Sequence, residues 1–249
     1  MKNLLIVTVL LITVFSLTSK VNAQVQSRID KANKAGKVVF LVVTDGNNDI
    51  TKATSLAEKA SKSYSKSTVL TMNINDKTNA GLVSKYRLMG APMPLLLVVA
   101  SNGFVAGGAP ANNLSSEVLV SMIPTPKEEV VIKAINEGNS VFVVFTKKSD
   151  SKNKKQLGVC QSACKSMNDK AITINVDIDD KKEKSFIAKF RIDNKATYPV
   201  TMVINAQGQV ASMFNGITEA KGLVSAARKK VSSGCCPPKS GKTCGPAKK

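Results

Sequence analysis

The chain has 249 residues, of which 36 are Lys or Arg and 17 are Asp or Glu, so its formal net charge is +19. It contains no histidine, the commonest general base and metal ligand at neutral pH, which argues against Ser-His-Asp hydrolases and histidine-based zinc sites. The lysines are spread singly, and there is no Trp. This pattern predicts weak attraction to anionic surfaces and no nucleic-acid binding.

Residues 1–23 have the pattern of a secretory signal peptide. Lys2 gives a charged start, an apolar run follows at 4–17, and Val21-Asn22-Ala23 offers a small-residue cleavage site. The apolar run is shorter than the roughly 20 residues that a membrane span needs, and no cysteine lies nearby to carry a lipid. We therefore predict export to a periplasm or to the medium, with a mature chain that begins at Gln24.

The first half of the mature chain predicts alternating helices and strands. The segment at 37–44 is a continuous apolar run flanked by glycines, which is typical of a strand buried on both faces. In chain order, the pattern predicts a helix at 27–35, a strand at 37–44, a helix within 53–64, a strand at 68–74, a helix at 80–88, strands at 95–99 and 104–106, and a helix at 114–123.

The second half repeats the first. The Lys-aromatic-Arg motif at 85–87 recurs at 189–191, offset by 104 residues, and Pro94 and Gly103 recur as Pro199 and Gly208, offset by 105. A single one-residue insertion reconciles the two offsets, which indicates a tandem of two similar domains. The corresponding elements are helices at 128–137, 183–192 and 218–231, a further helix with one face formed by residues 157, 160, 164 and 167, and strands at 140–146, 172–178, 200–204 and 210–214.

The duplication and the composition predict five segments along the chain. These are the signal peptide at 1–23, a first domain at 24–123, a proline-containing linker at 124–127, a second domain at 128–231, and a tail at 232–249. The tail is rich in Pro, Gly and Lys and has no apolar periodicity, so we expect a flexible extension.

The element order of each half resembles the thioredoxin fold, and the resemblance covers essentially the whole mature chain. It implies an α/β protein of two tandem thioredoxin-like domains, each a central mixed sheet flanked by helices. In that family a cis-proline opens an apolar strand and borders the active site; Pro94 and Pro199 match it. The family usually has an aromatic residue six positions before this proline, a spacing that Pro92 has, but Pro92 falls outside the register of the repeat.

The residues that carry redox chemistry in this family are missing from both halves. A redox-active thioredoxin has Cys-x-x-Cys after its first buried strand, where the helix N-terminus lowers the thiol pKa. The matching segments at 45–50 and 147–151 contain no cysteine. The resemblance therefore implies no dithiol oxidoreductase activity at the usual site, and no catalytic residue is assigned.

Cys160 and Cys164 lie in the second half, but well inside a predicted helix. With the offset of 104 they fall on Leu56 and Ala60, members of an apolar stripe, which predicts two buried thiols acting as small hydrophobic residues. A disulfide between them is disfavoured because helical positions i and i+4 hold their Cβ atoms about 5–6 Å apart. A soft metal bridging them would need the pair to be exposed.

The tail carries the other three cysteines, Cys235, Cys236 and Cys244. Lys239 and Lys242 favour their thiolate forms, and the cluster could hold a soft ion such as Cu, Zn, Hg or As. The adjacent pair resembles the vicinal cysteines of arsenic- and mercury-handling proteins. The alternative is a disulfide between Cys236 and Cys244, which export favours. Five cysteines are an odd number, so at least one thiol is free or bound to a partner.

Three hypotheses of function follow. The first is a non-catalytic scaffold that binds a protein or peptide at its proline loops; the second is a soft-metal or metalloid carrier using the tail thiols; the third is an atypical thiol-disulfide oxidoreductase. The carboxylates at 177, 179 and 180 are interleaved with lysines and predict a solvated loop rather than a cation site. The sequence identifies neither a substrate nor a partner.

Overall fold

The computed structural model describes residues 24–148, 150–193 and 195–231. The predicted signal peptide and the predicted tail lie outside the described residues. The chain divides into two compact units: the boundary falls between Asn136 and Glu137, and Lys181–Arg191 belongs to the first unit. We call these the first unit and the second unit. The predicted boundaries at 123 and 128, which follow the duplicated sequence, do not coincide with this division.

Helices and strands alternate along both units. In chain order they are α1 (Gln24–Lys34), β1 (Val38–Thr44), α2 (Thr51–Ser63), β2 (Ser67–Asn73), α3 (Ala80–Lys85), β3 (Leu95–Val99), β4 (Val105–Pro110), α4 (Ser116–Ser121), α5 (Pro126–Asn136), β5 (Ser140–Thr146), α6 (Lys152–Ser166), β6 (Ala171–Asp177), α7 (Lys184–Lys189), β7 (Val200–Ile204), β8 (Val210–Asn215) and α8 (Ala220–Arg228). Single 3-10 turns occupy Lys77–Asn79, Ala111–Asn113 and Lys181–Glu183. Over the described ranges, no helix is both long and apolar enough to cross a lipid bilayer.

The first unit contains a four-stranded mixed sheet in the order β2-β1-β3-β4. β1 pairs in parallel with β2 and antiparallel with β3, and β3 pairs antiparallel with β4. β1 is buried along its whole length because helices cover both faces of the sheet. Residues of α1 and α3 pack on one face, and residues of α2 and α4 pack on the other.

β4 is longer than the predicted strand at 104–106, since it continues to Pro110. Its central residues are Gly107 and Gly108, which have little intrinsic preference for strands. A Cβ atom at Gly108 would lie 2.6 Å from the carbonyl oxygen of Leu96, so only glycine fits where β4 meets β3. The close packing of β4 against β3, and not the strand preference of its residues, therefore sets the length of β4.

The second unit contains a sheet with the same pattern, in the order β6-β5-β7-β8. β5 pairs in parallel with β6 and antiparallel with β7, and β7 pairs antiparallel with β8. Phe142 and Val144 of β5 pack with buried residues of α6 and α8, among them Leu223. The hairpin turns before β4 and β8 both use a glycine with positive φ, 82° at Gly103 and 78° at Gly208.

Candidate functional site

The corner of the first unit is the segment 45–50, which joins β1 to α2. Its carboxylates are held by local hydrogen bonds: Asp45 Oδ1 accepts from the Asn47 N–H at 3.0 Å and from Asn48 Nδ2 at 2.9 Å, and Asp49 Oδ1 accepts from the N–H and hydroxyl of Thr51 at 2.8 and 2.6 Å. These bonds favour the ionised form. The backbone N–H of Asn47 lowers the pKa of Asp45, and the Thr51 hydroxyl lowers the pKa of Asp49.

The end of β2 closes this corner with amide side chains. Asn75 Nδ2 donates to the carbonyl oxygen of Asp45 at 2.7 Å, and Asn79 Nδ2 donates to that of Asn73 at 2.9 Å. Gly46 has φ +86°, and a Cβ atom there would lie 2.9 Å from Asn73 Nδ2. The first corner is therefore acidic, internally hydrogen-bonded and devoid of a thiol.

The corner of the second unit joins β5 to α6 and is basic instead. The Lys147 carbonyl accepts from Asn153 Nδ2 at 2.6 Å, and Asp150 Oδ1 accepts from the Lys152 N–H at 2.8 Å. Lys148 Nζ lies 3.6 Å from Asp177 at the end of β6, and because the lysine side chain is 83% exposed this ion pair contributes little stability. Among its described residues this corner also contains no nucleophilic thiol.

The peptide bonds before both candidate prolines, Met93-Pro94 and Tyr198-Pro199, are cis. The carbonyl of Pro94 accepts from the Ala111 N–H at 3.0 Å, and that of Pro199 accepts from the Gly216 N–H at 2.8 Å. Each proline is thus tied to the strand or turn that follows its hairpin. Pro92 forms no cis bond.

In the second unit the structure brings the corner and the proline loop together. Lys147 Nζ lies 4.7 Å from the centre of the Tyr198 ring, a distance at which a cation is attracted to the ring face. Tyr198 is buried, and its hydroxyl donates to the Asp193 carbonyl at 2.9 Å. Burial raises the pKa of Tyr198. In the first unit, the segment before the proline exposes Met89, which is 81% accessible.

Cys160 and Cys164 are free thiols in α6. Cys160 is completely buried, and burial raises its pKa to about 12. Cys164 is partly exposed, lies 3.4 Å from the Thr173 hydroxyl, and also has a pKa raised by burial. Both thiols are therefore weak nucleophiles at neutral pH.

The alignment of Cys160 with Leu56 is wrong by one residue. The buried positions of α2 are Ala53, Ala57 and Ala60, and those of α6 are Gln156, Cys160 and Ala163, an offset of 103. Cys160 therefore corresponds to Ala57, and Cys164 corresponds to Ser61. The offset is 102 at the ends of the preceding strands, 103 along this helix and 104 at the ends of the following strands, so it changes in the segments that flank the helix.

Gln156 is a buried polar residue that the sequence analysis missed. It is fully inaccessible; its Nε2 donates to the Thr201 hydroxyl at 3.0 Å and lies 3.6 Å from Cys160 Sγ, and its Oε1 accepts from the Thr218 N–H at 3.0 Å. The sequence does contain a signal for it, because Gln156 is a polar residue one helical turn before Cys160 on the same buried face of the helix. These hydrogen bonds link α6 to β7 and to the segment just before α8.

The tail thiols Cys235, Cys236 and Cys244 lie outside the described residues. Within the part of the chain that the structure describes, no group of three Cys, Asp or Glu side chains could hold a metal ion. The soft-metal site therefore stays a prediction about the tail.

No protein-family model and no curated protein matches this chain. Among solved structures it resembles thioredoxin-like proteins. Thioredoxin-2, described as a component of malaria parasite protein secretion machinery, is 14% identical over 35% of this chain and 79% of its own, with a TM-score of 0.30. StoA from Bacillus subtilis is 18% identical over 36% and 82%, with a TM-score of 0.29. The germline-specific thioredoxin Deadhead of Drosophila melanogaster is 17% identical over 37% and 82%, with a TM-score of 0.31. With identities of 14–18% and TM-scores of 0.29–0.31, these similarities assign no function to the chain.

Proposed function

We propose that this protein is an exported tandem thioredoxin-fold protein that binds other proteins or peptides without dithiol catalysis. One observation carries the proposal: the corner segments at 45–50 and 147–151 contain no cysteine, while the described thiols lie further along α6, with Cys160 buried and Cys164 partly buried. A dithiol reaction needs an accessible thiolate, and a pKa of about 12 leaves Cys160 almost entirely protonated.

Three further features support this reading. The two sheets have the same strand order and the same pairing. Each has a cis-proline at the start of its third strand, which is the feature that the thioredoxin resemblance implies. The signal-peptide pattern at 1–23 supports export.

The proline loop of the first unit has the chemistry of a docking surface. Met89 is highly exposed beside Gly90, and Met93 directly precedes Pro94. Methionine is flexible and polarisable, so it adapts to partners of different shape. The proposed ligand of this loop is an unfolded or extended polypeptide with apolar side chains.

Insulin reduction tests the non-catalytic half of the proposal. With dithiothreitol as the reductant, the full chain should precipitate insulin no faster than the uncatalysed control. Rapid turnover that disappears in a Cys235→Ser, Cys236→Ser, Cys244→Ser variant would support the oxidoreductase alternative and overturn the proposal.

Methyl NMR tests the binding half. The probe is reduced, carboxymethylated α-lactalbumin, an unfolded polypeptide without free thiols, added to protein labelled at the methionine methyl groups. We expect the Met89 and Met93 signals to shift and the buried Met202 signal to stay in place. Met89→Ala should weaken binding, whereas Val118→Ala, an exposed apolar position of α4 in the same unit, should not. Absence of any shift at Met89 and Met93 would contradict the docking role.

A second candidate function is a soft-metal or metalloid carrier. Only the clustering of Cys235, Cys236 and Cys244 in the sequence favours it. The full reduced chain should then bind one equivalent of Cu(I) or As(III), and replacing the three tail cysteines by serine should abolish binding. The matched control is Cys160→Ser with Cys164→Ser, which should leave the stoichiometry unchanged.

A further inference from the structure

The second unit has an open groove between its last strand and its last helix, which we call the β8–α8 groove. Its volume is 750 Å³. Six of its lining residues carry the argument: Ser212, Phe214, Lys221, Ser225, Arg228 and Lys229. Gly222 also lines it, and the lack of a side chain there leaves the groove open next to Phe214.

β8 is an edge strand with unused backbone hydrogen-bonding groups. The Gly216 N–H donates to the Pro199 carbonyl, and Phe214 and Ser212 lie opposite Thr201 and Val203 in the same ladder. In an antiparallel pair, every second residue directs its backbone N–H and C=O groups towards the neighbouring strand. The N–H and C=O groups of the alternate residues, Met213 among them, therefore point away from β7, where no described strand pairs with them.

This edge lacks two of the devices that usually prevent pairing, although a bulge between Val210 and Ser212 interrupts its ladder with β7. The strand sequence Val-Ala-Ser-Met-Phe-Asn contains no proline and no charged residue, both of which protect natural edges. Met213 and Val210 are also 48% and 43% exposed. By contrast, the equivalent edge strand of the first unit, β4, contains Pro110 and two adjacent glycines. β8 is thus the better template for an added strand.

The helix side of the groove is strongly cationic. Lys221, Arg228 and Lys229 are exposed, and no acidic side chain lines the groove. Positions 221, 225 and 228 share one face of α8, because residues three and four apart are neighbours on a helix, and Lys229 directly follows the helix. None of the three cations forms a salt bridge within the described part of the chain.

The positive charge of the β8–α8 groove indicates which kind of peptide binds in it. The tail at 232–249 contains four lysines and no acidic side chain, so it has the same sign of charge as the groove. We propose that the β8–α8 groove binds an extended acidic peptide of a partner protein, which pairs with β8 as an additional strand. The alternating geometry of a strand lets acidic side chains face α8 while apolar ones lie over Met213. This site is separate from the proline loops and goes beyond the proposed function.

Fluorescence anisotropy with a labelled peptide of about ten alternating Glu and Val residues tests the proposal on the full chain. A net charge of +19 attracts any anion, so matched variants are essential. The variant Lys221→Ala, Arg228→Ala, Lys229→Ala should weaken binding at least about tenfold. Removing three exposed lysines from α6, with Lys154→Ala, Lys155→Ala and Lys165→Ala, should change it less than about twofold.

A second pair of variants tests strand addition. Met213→Pro removes an N–H that β7 does not use, so the sheet should persist while peptide binding is lost; Met213→Ala removes only the side chain and should retain most of it. Circular dichroism confirms that each variant is folded.

A second cationic groove, in the first unit, offers a competing location. It lies beside β2 and is lined by Arg28, Lys31 and Lys37, with a volume of 290 Å³. The proposal is overturned if the peptide does not bind, if both lysine triples on α6 and α8 act alike, if Met213→Pro binds as Met213→Ala does, or if only replacement of Arg28, Lys31 and Lys37 reduces binding.

Discussion

The buried thiol of Cys160 should resist alkylation in the folded protein. Its pKa rises from the usual 9.0 to about 12, mainly because burial removes water from the thiolate. At pH 8 this difference lowers the thiolate fraction roughly a thousandfold. The thiol is also completely inaccessible, so reaction requires local opening of α6 as well.

Iodoacetamide labelling followed by mass spectrometry measures this directly. The chain is first reduced, the reductant is removed, and labelling is followed with time at pH 8 in the native state and in guanidinium. We expect native Cys160 to react at least about a thousandfold more slowly than Cys160 in the unfolded chain. Cys164, which is partly exposed, provides an internal comparison on the same helix and should react at an intermediate rate.

The pH dependence gives a second check. Below about pH 11 the native rate for Cys160 should rise about tenfold for each pH unit, because the thiolate fraction does so when the pH is below the pKa. A native rate within about tenfold of the unfolded rate at pH 8 would refute the reasoning. It would place an available thiolate in α6 and remove the observation on which the non-catalytic proposal rests.

Three other substitutions test the packing around the candidate site. Gln156→Ala should lower the free energy of unfolding in urea by about 2–4 kcal/mol, because it breaks two buried hydrogen bonds and leaves a cavity; Gln161→Ala, exposed on the same helix, should change it by less than about 0.5 kcal/mol. Burial raises the pKa of Tyr86 from 10.0 to about 12, so its contribution to stability is present below pH 10 and is lost as the pH rises towards 12. Urea titrations from pH 8 to 11 should therefore show a smaller alkaline loss in Tyr86→Phe, and an unchanged loss would contradict the assignment. Gly46→Ala should cost about 1–2 kcal/mol, because φ is +86° there and the new methyl group meets the Asn73 amide; a neutral effect on the melting temperature would be inconsistent with this backbone conformation.

The sequence located the interior strands well. Runs such as 95–99, 140–146 and 200–204 are apolar and β-branched, and Pro or Gly lies close to their ends, so their bounds agree with β3, β5 and β7. The predicted length of β4 was too short because its glycines are required by the close approach of β4 to β3. No local sequence pattern reveals that approach.

The helices that carry the cysteines were harder to align. Thr44 and Thr146 end equivalent strands 102 residues apart, whereas Asn73 and Asp177 end the next pair 104 residues apart. The offset therefore changes by two between these strands. A constant offset placed Cys160 opposite the wrong residue, because α2 presents only small alanines on its buried face and gives no clear landmark.

The two corners differ in a way that the shared strand order does not predict. Equivalent loops follow β1 and β5, but Asp45 and Asp49 lie in the first, while Lys147 and Lys148 lie in the second. The Asp49 carboxylate is held ionised by the Thr51 hydroxyl, and the Lys147 ammonium group lies over the Tyr198 ring, so the charges are built into the loops. Opposite charges at equivalent positions attract opposite ligands. The two units therefore present surfaces of opposite charge at equivalent loops of the same kind of sheet.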